Sequence, residues 1–212
     1  MSDTPPAINP GMMARIQNII TKPVQEWDVI RAEATSVSQL FTGYAMILAA
    51  IPAIAGFIGG LLLSGMFGGL GVSVGLVAGL VGAVVGYVLS LVMVFVMGLI
   101  IDALAPSFGA AKDRTQAMKV AVYAMTPAWV AGILNLLPML GILVLIASIY
   151  GLYLLYLGIK QVMAPPADKA IVYFIVVCVV AIVLWWIIAM IIGSITAAMA
   201  FSAAGGAAIL YG

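Results

Sequence analysis

Apolar residues follow two kinds of pattern along this chain. Between residues 12 and 22 they recur at Met12, Met13, Ile16, Ile19 and Ile20, the spacing of one helical face, with Arg15, Gln17, Asn18 and Lys22 largely off it. Pro23 breaks that run and suits the first turn of a second helix reaching to about Gln39, in which Trp27, Ile30, Val37 and Leu40 trace a looser apolar face. Glu26 and Asp28 lie near the positive N-terminal end of that helix. After Leu40 the periodicity gives way to continuous apolar runs. Crossing a hydrocarbon core of ~30 Å takes ~20 helical residues, and five runs are long enough: 41–63, 71–101, 118–135, 137 to about 159, and 171 to about 195. Continuous runs rather than strict in/out alternation argue for helices over a barrel. The pattern predicts an all-α polytopic membrane bundle of five transmembrane helices, preceded by amphipathic interfacial helices. Three regions follow: a cytoplasmic N-terminal tail at 1–40, a transmembrane domain at 41–195, and a small-residue C-terminal tail at 196–212.

Composition narrows the chemistry. Two thirds of the residues are apolar and only 7% are charged, which suits a chain that lives in lipid. The net charge of +1 gives no footing for nucleic acid. Histidine, the commonest general base and metal ligand, is absent, and Cys178 is the sole cysteine. No cofactor or metal is expected, and no cleaved leader, because the first 40 residues hold no short apolar core.

The eight basic residues set the topology. Arg15, Lys22 and Arg31 precede the first run, Lys112, Arg114 and Lys119 follow the second, and Lys160 and Lys169 follow the fourth. The positive-inside rule then places the N-terminus in the cytoplasm and the C-terminus on the exoplasmic side.

Three features are candidates for function. Gly71, Gly75 and Gly79 are four apart, as are Gly82 and Gly86, a small-xxx-small ladder that lets helices approach closely, within one bundle or between copies. The third and fourth runs are joined by a tight turn at Asn135, Leu136, Leu137 and Pro138 and so form an antiparallel hairpin. Pro127 interrupts its first arm, and a polar strip of Tyr123, Thr126, Asn135, Tyr150 and Tyr153, with Asp102 nearby, is a candidate cavity. Tyr150, Tyr153 and Tyr156 also fit an aromatic belt above Lys160. Trp185 and Trp186 lie too deep in the fifth run for a belt, so at least one is expected to pack against the bundle.

Several segments carry a family likeness: TyrAlaMetThrPro at 123–127, AsnLeuLeuPro at 135–138, the run at 149–160, AlaProProAlaAspLysAla at 164–170, the N-terminal stretch at 19–30, and AlaProSerPheGly at 105–109. Together they resemble the Yip (Ypt-interacting protein) domain family, especially its bacterial members, over about residues 15–195. The resemblance implies a five-span integral membrane protein with a cytoplasmic N-terminus, here in a bacterial inner membrane, and brings no catalytic residues. Eukaryotic relatives are associated with Rab-type GTPases, but the acidic AspLeuTyrGlyPro signature of those relatives is missing from this N-terminus, which argues against Rab binding.

The function expected from these observations is a membrane scaffold or interaction protein without catalytic activity. Its partners would be the bilayer and either a second copy of itself or other membrane proteins. The alternative is a small-solute channel or transporter using the polar strip between the third and fourth helices.

Overall fold

A computed structural model describes residues 11–66, 72–187 and 190. These are helical almost throughout, with no strand among the described residues. Two short helices come first, α1 (Met12–Thr21) and α2 (Pro23–Ala32). Five helices long and apolar enough to cross a membrane follow: Val37–Leu63, Gly79–Phe108, Arg114–Leu136, Gly141–Met163 and Ala170–Ile187, the first to fifth spans. The all-α bundle expected from the apolar runs is therefore the fold adopted.

The boundaries differ from expectation in instructive places. The second short helix stops at Ala32 rather than near Gln39, and the first span starts at Val37 rather than 41. The cause is a capping box. The Ser36 hydroxyl accepts from the Gln39 amide (3.2 Å) while the Gln39 side chain accepts from the Ser36 amide (3.0 Å), so a new helix starts there. This span then widens into a π-helical turn at Phe41–Ala45 before continuing as Met46–Met66.

The third span is also broken. Its first part, Arg114–Ala124, is N-capped by Asp113, and a new helical segment, Thr126–Ala131, starts at the Pro127 site because proline has no N–H to donate into the preceding turn. The end of this span tightens into 3₁₀ turns through Gly132–Leu136 and Pro138–Leu140, which make the compact turn expected there.

Helix length fixes where lipid can lie. The 33-residue helix Val72–Leu104 is about 50 Å long at ~1.5 Å per residue, well beyond a ~30 Å core. Its exposed large apolar side chains run from Leu76 to Val92 and then stop. Beyond that point the Arg114 guanidinium lies over the Phe95 ring, 5.4 Å from its centroid, and Asp102 follows. The Tyr87 hydroxyl donates to the Met46 carbonyl (3.0 Å), setting the 21-residue helix Met46–Met66, about 31 Å long, beside the apolar part of its neighbour. The hydrocarbon layer therefore fits Met46–Met66 and the second helix up to about Val92. The start of the first span, the end of the second, and Arg114–Ala124 project past it; α2 is held on Arg114–Ala124 through Gln116 and Lys119, and α1 lies beside the start of the first span.

The chain forms two compact units, residues 1–174 and 175–212. In the second, Trp185 and Trp186 meet edge to face, centroids 6.2 Å apart, and are 60% and 59% exposed. Within this unit the two indoles pack on each other. Ile182, Val183 and Ile187 beside them are similarly open, and lipid accepts such rings without a protein partner.

Candidate functional site

The most concentrated chemistry lies where α1 and α2 meet the projecting ends of the spans. Arg15, read from sequence as lying off the apolar face, is only 2% exposed, whereas Met13 is 64% exposed. Its Nη1 donates to Glu26 Oε1 and its Nη2 to Glu33 Oε2, both at 2.5 Å. Burial of the arginine on this face follows from that double pairing, since an unpaired guanidinium could not leave water. The ring of Tyr123 lies 5.3 Å from the guanidinium carbon, within cation–π range.

Lys119 is the second anchor. It lies in the second turn of Arg114–Ala124, 1% exposed, and its Nζ donates to the carbonyls of Ile30 (2.8 Å) and Glu33 (2.6 Å). Gln116 Nε2 donates to the Arg31 carbonyl (3.0 Å). The last turn of a helix leaves carbonyls without intrahelical donors and carries partial negative charge, so a lysine there satisfies both. The third span thus holds the C-terminus of α2 from below. Two cations and two carboxylates balance within this cluster.

Aromatic packing completes it. Trp27 is fully buried, lies edge to face with Tyr123 (6.5 Å), and covers Gly158, where a Cβ would come within 2.9 Å of its ring. Tyr44 meets Tyr123 at 4.9 Å, and its hydroxyl shares a 2.9 Å hydrogen bond with Thr126 Oγ1. Beside these groups a recess of about 600 Å³ opens between α1 and the start of the first span, lined by Arg15, Glu33, Gln39, Gly43, Tyr44 and Tyr123 among others.

The residues of the expected polar strip are distributed as follows. Tyr123 and Thr126 are buried and linked through Tyr44. Tyr150 donates instead to the Ile20 carbonyl at the end of α1 (2.8 Å), with the Tyr153 ring 5.6 Å away and 45% exposed. Asn135 sits at the far turn, where its backbone carbonyl lies against Gly59. Asp102 is 7% exposed with Oδ1 unpaired, in the region where Tyr173 donates to the Ile101 carbonyl and stacks on Phe108. The strip is therefore split among separate contacts.

The glycine ladder is likewise divided. Gly71 and the surroundings of Gly75 lie outside the described residues. Gly79 meets the Phe57 ring, whereas nothing lies within 4 Å of a Cβ built at Gly82 or Gly86. These glycines line a second recess of about 520 Å³ between the first and second spans, with Gly56 and Gly60 opposite. Closest approach inside the bundle occurs at other glycines: Gly59 against Asn135, Gly98 against Met118, and Gly132 against Pro52.

From the sequence Arg15, Glu26 and Lys119 read only as a polar-face residue, a helix N-terminal charge and a topology-setting cation, and Glu33 carries no reading at all; their clustering is not expected from it. Pairs 11 and 18 residues apart are invisible to helical periodicity. The available signals were the Pro23 hinge, which folds two short helices against each other, and the Ser36/Gln39 cap that bounds them.

A family model described as the Yip1 domain matches residues 18–188, about four fifths of the chain. The chain belongs to the Yip1 domain family. As a Yip1-domain protein it is a multi-pass membrane protein, in keeping with its five spans. The matched region includes Glu26, Glu33 and Lys119 and begins just after Arg15. No curated protein and no solved structure matches the chain.

Proposed function

We infer that this Yip1-domain protein is a membrane scaffold without catalytic activity, which associates through its first and second spans with a second copy of itself or with another membrane protein. The observation that carries this reading is the open recess at Gly82 and Gly86, faced by Gly56 and Gly60. Helices associate in lipid chiefly by close packing, and small residues with no neighbour of their own leave room for another helix backbone. The basic residues support an N-terminus in the cytoplasm and a C-terminus on the exoplasmic side of a bacterial inner membrane. A solute path between the third and fourth spans has less support, because Thr126 and Tyr150 are engaged by Tyr44 and Ile20. Binding to a Rab-type GTPase has no acidic N-terminal motif behind it.

Cysteine crosslinking from Gly56 and Gly60, across the recess from Gly82 and Gly86, in native membranes, followed by pull-down, tests this function. A discrete crosslinked species is expected, lost in the Gly82→Leu/Gly86→Leu variant while the monomer keeps its thermal stability. A chain that stays uncrosslinked from both positions, or a species indifferent to the leucines, would overturn the scaffold reading at this face. Labelling Lys112→Cys and Gly212→Cys on the same side of the membrane would overturn the topology.

A further inference from the structure

We propose that the recess between α1 and the start of the first span is a binding site for the headgroup of a zwitterionic phospholipid, with its ammonium group held by Glu33 and the Tyr44 ring.

Three observations carry this assignment. The first is depth. Thr42, Gly43 and Tyr44 line the recess, and Met46, where the hydrocarbon layer fits the first span, follows two residues after Tyr44. The opening therefore stands at headgroup level. The second is charge. Arg15 faces the recess, but its two terminal nitrogens are committed to Glu26 and Glu33, and Lys119, turned onto the end of α2, does not line it. Glu33 uses one carboxylate oxygen on Arg15, and its Oε1 has no partner among the described residues. What faces the recess is therefore a mutually paired Arg15 and Glu33, with one free carboxylate oxygen, beside the Tyr44 ring, a set that suits a headgroup carrying both charges rather than a lone phosphate. The third is the rim. Thr35 and the Gln39 side chain supply polar groups of the sort that position a phosphate linked to that cation, and about 600 Å³ accommodates a headgroup with part of its glycerol. The π-helical turn Phe41–Ala45 forms one wall, and π-turns of this kind recur at functional sites. An anionic headgroup would set phosphate beside Glu33 with no ammonium to offset it.

Native mass spectrometry of the full chain released from nanodiscs tests the site, with phosphatidylethanolamine and phosphatidylglycerol as probes. Retention of the ethanolamine lipid is expected to exceed that of the glycerol lipid by about tenfold, between the worth of an exposed and of a fully desolvated cation–π contact. Gly43→Leu fills the recess without disturbing packing, since nothing lies within 4 Å of a Cβ there. It should remove most of the preference while leaving the melting temperature unchanged. Equal retention of the two lipids, or a preference that survives Gly43→Leu, overturns the proposal. Displacement of the lipid by an equal concentration of glycerophosphoethanolamine would identify a free solute as the ligand and overturn the lipid assignment.

Discussion

Replacing Arg15 by methionine probes the N-terminal hairpin most directly. The change keeps an unbranched side chain of similar length and removes a charge that is 2% exposed between carboxylates 5% and 6% exposed. Glu26 and Glu33 would then be left close together in a site with little water and no counter-charge. Breaking a buried ion pair from one side costs about 3–5 kcal/mol, a large part of the ~5–15 kcal/mol that holds a typical domain together. The loss should be local at first: Lys119 and Tyr150 still hold Ile30 and Ile20, but α1 loses its only charged link to α2 among the described residues. Protease cleavage within 11–35 should therefore become fast in detergent, and the urea unfolding midpoint should fall. The informative control is the triple variant Arg15→Met, Glu26→Gln, Glu33→Gln. It removes the stranded charges and should recover most of the loss, since an apolar or neutral replacement of a buried ion network is often near neutral. Arg15→Lys should fall between, because an ammonium lacks the planar fork that spans two carboxylates. If Arg15→Met changed stability by less than about 0.5 kcal/mol, or if the triple variant were no better than the single, the argument from an uncompensated buried charge would be refuted.

Two further outcomes follow from the same contacts. Lys119→Met should cost about 3–6 kcal/mol, measured by urea unfolding, because it leaves two buried carbonyls at the end of α2 without their charged donor, each such bond contributing about 1.5–3 kcal/mol. Gly59→Ala should lower the melting temperature clearly, by an overpacking cost of about 1–3 kcal/mol against the Asn135 carbonyl, whereas Gly82→Ala, with open space before it, should leave the melting temperature unchanged or slightly raised.

What could be read from the sequence, and what could not, divides by the range of the interaction. Five spans were legible because hydropathy over ~20 residues is a local sum that lipid enforces. The tight turn at Asn135–Pro138 and the break before Pro127 were legible for the same reason, since proline acts on its own turn. The start of the first span was misplaced by four residues, although Ser36 and Gln39 carried a short-range signal for it. The polar cluster was out of reach. In sequence Arg15 is one more charge on the polar side of a helix, and only the fold brings it to carboxylates 11 and 18 residues away. Lys119 looked like a residue at the membrane edge because the apolar run begins beside it, yet it lies 1% exposed under α2. Both errors come from one assumption, that the apolar runs and the helices end together. The 33-residue helix Val72–Leu104 contradicts it: about 20 Å of that helix exceeds any hydrocarbon layer. Once the spans extend into water, their ends need a cover that is apolar beneath and able to neutralise Lys119. A short hairpin with Ile19, Trp27 and Ile30 inside, carbonyls at its end, and an internal Arg–Glu network supplies both. The charged N-terminal helices and the third and fourth spans they pack on are thus two halves of one packing problem, and the recess between α1 and the start of the first span lies beside that seam.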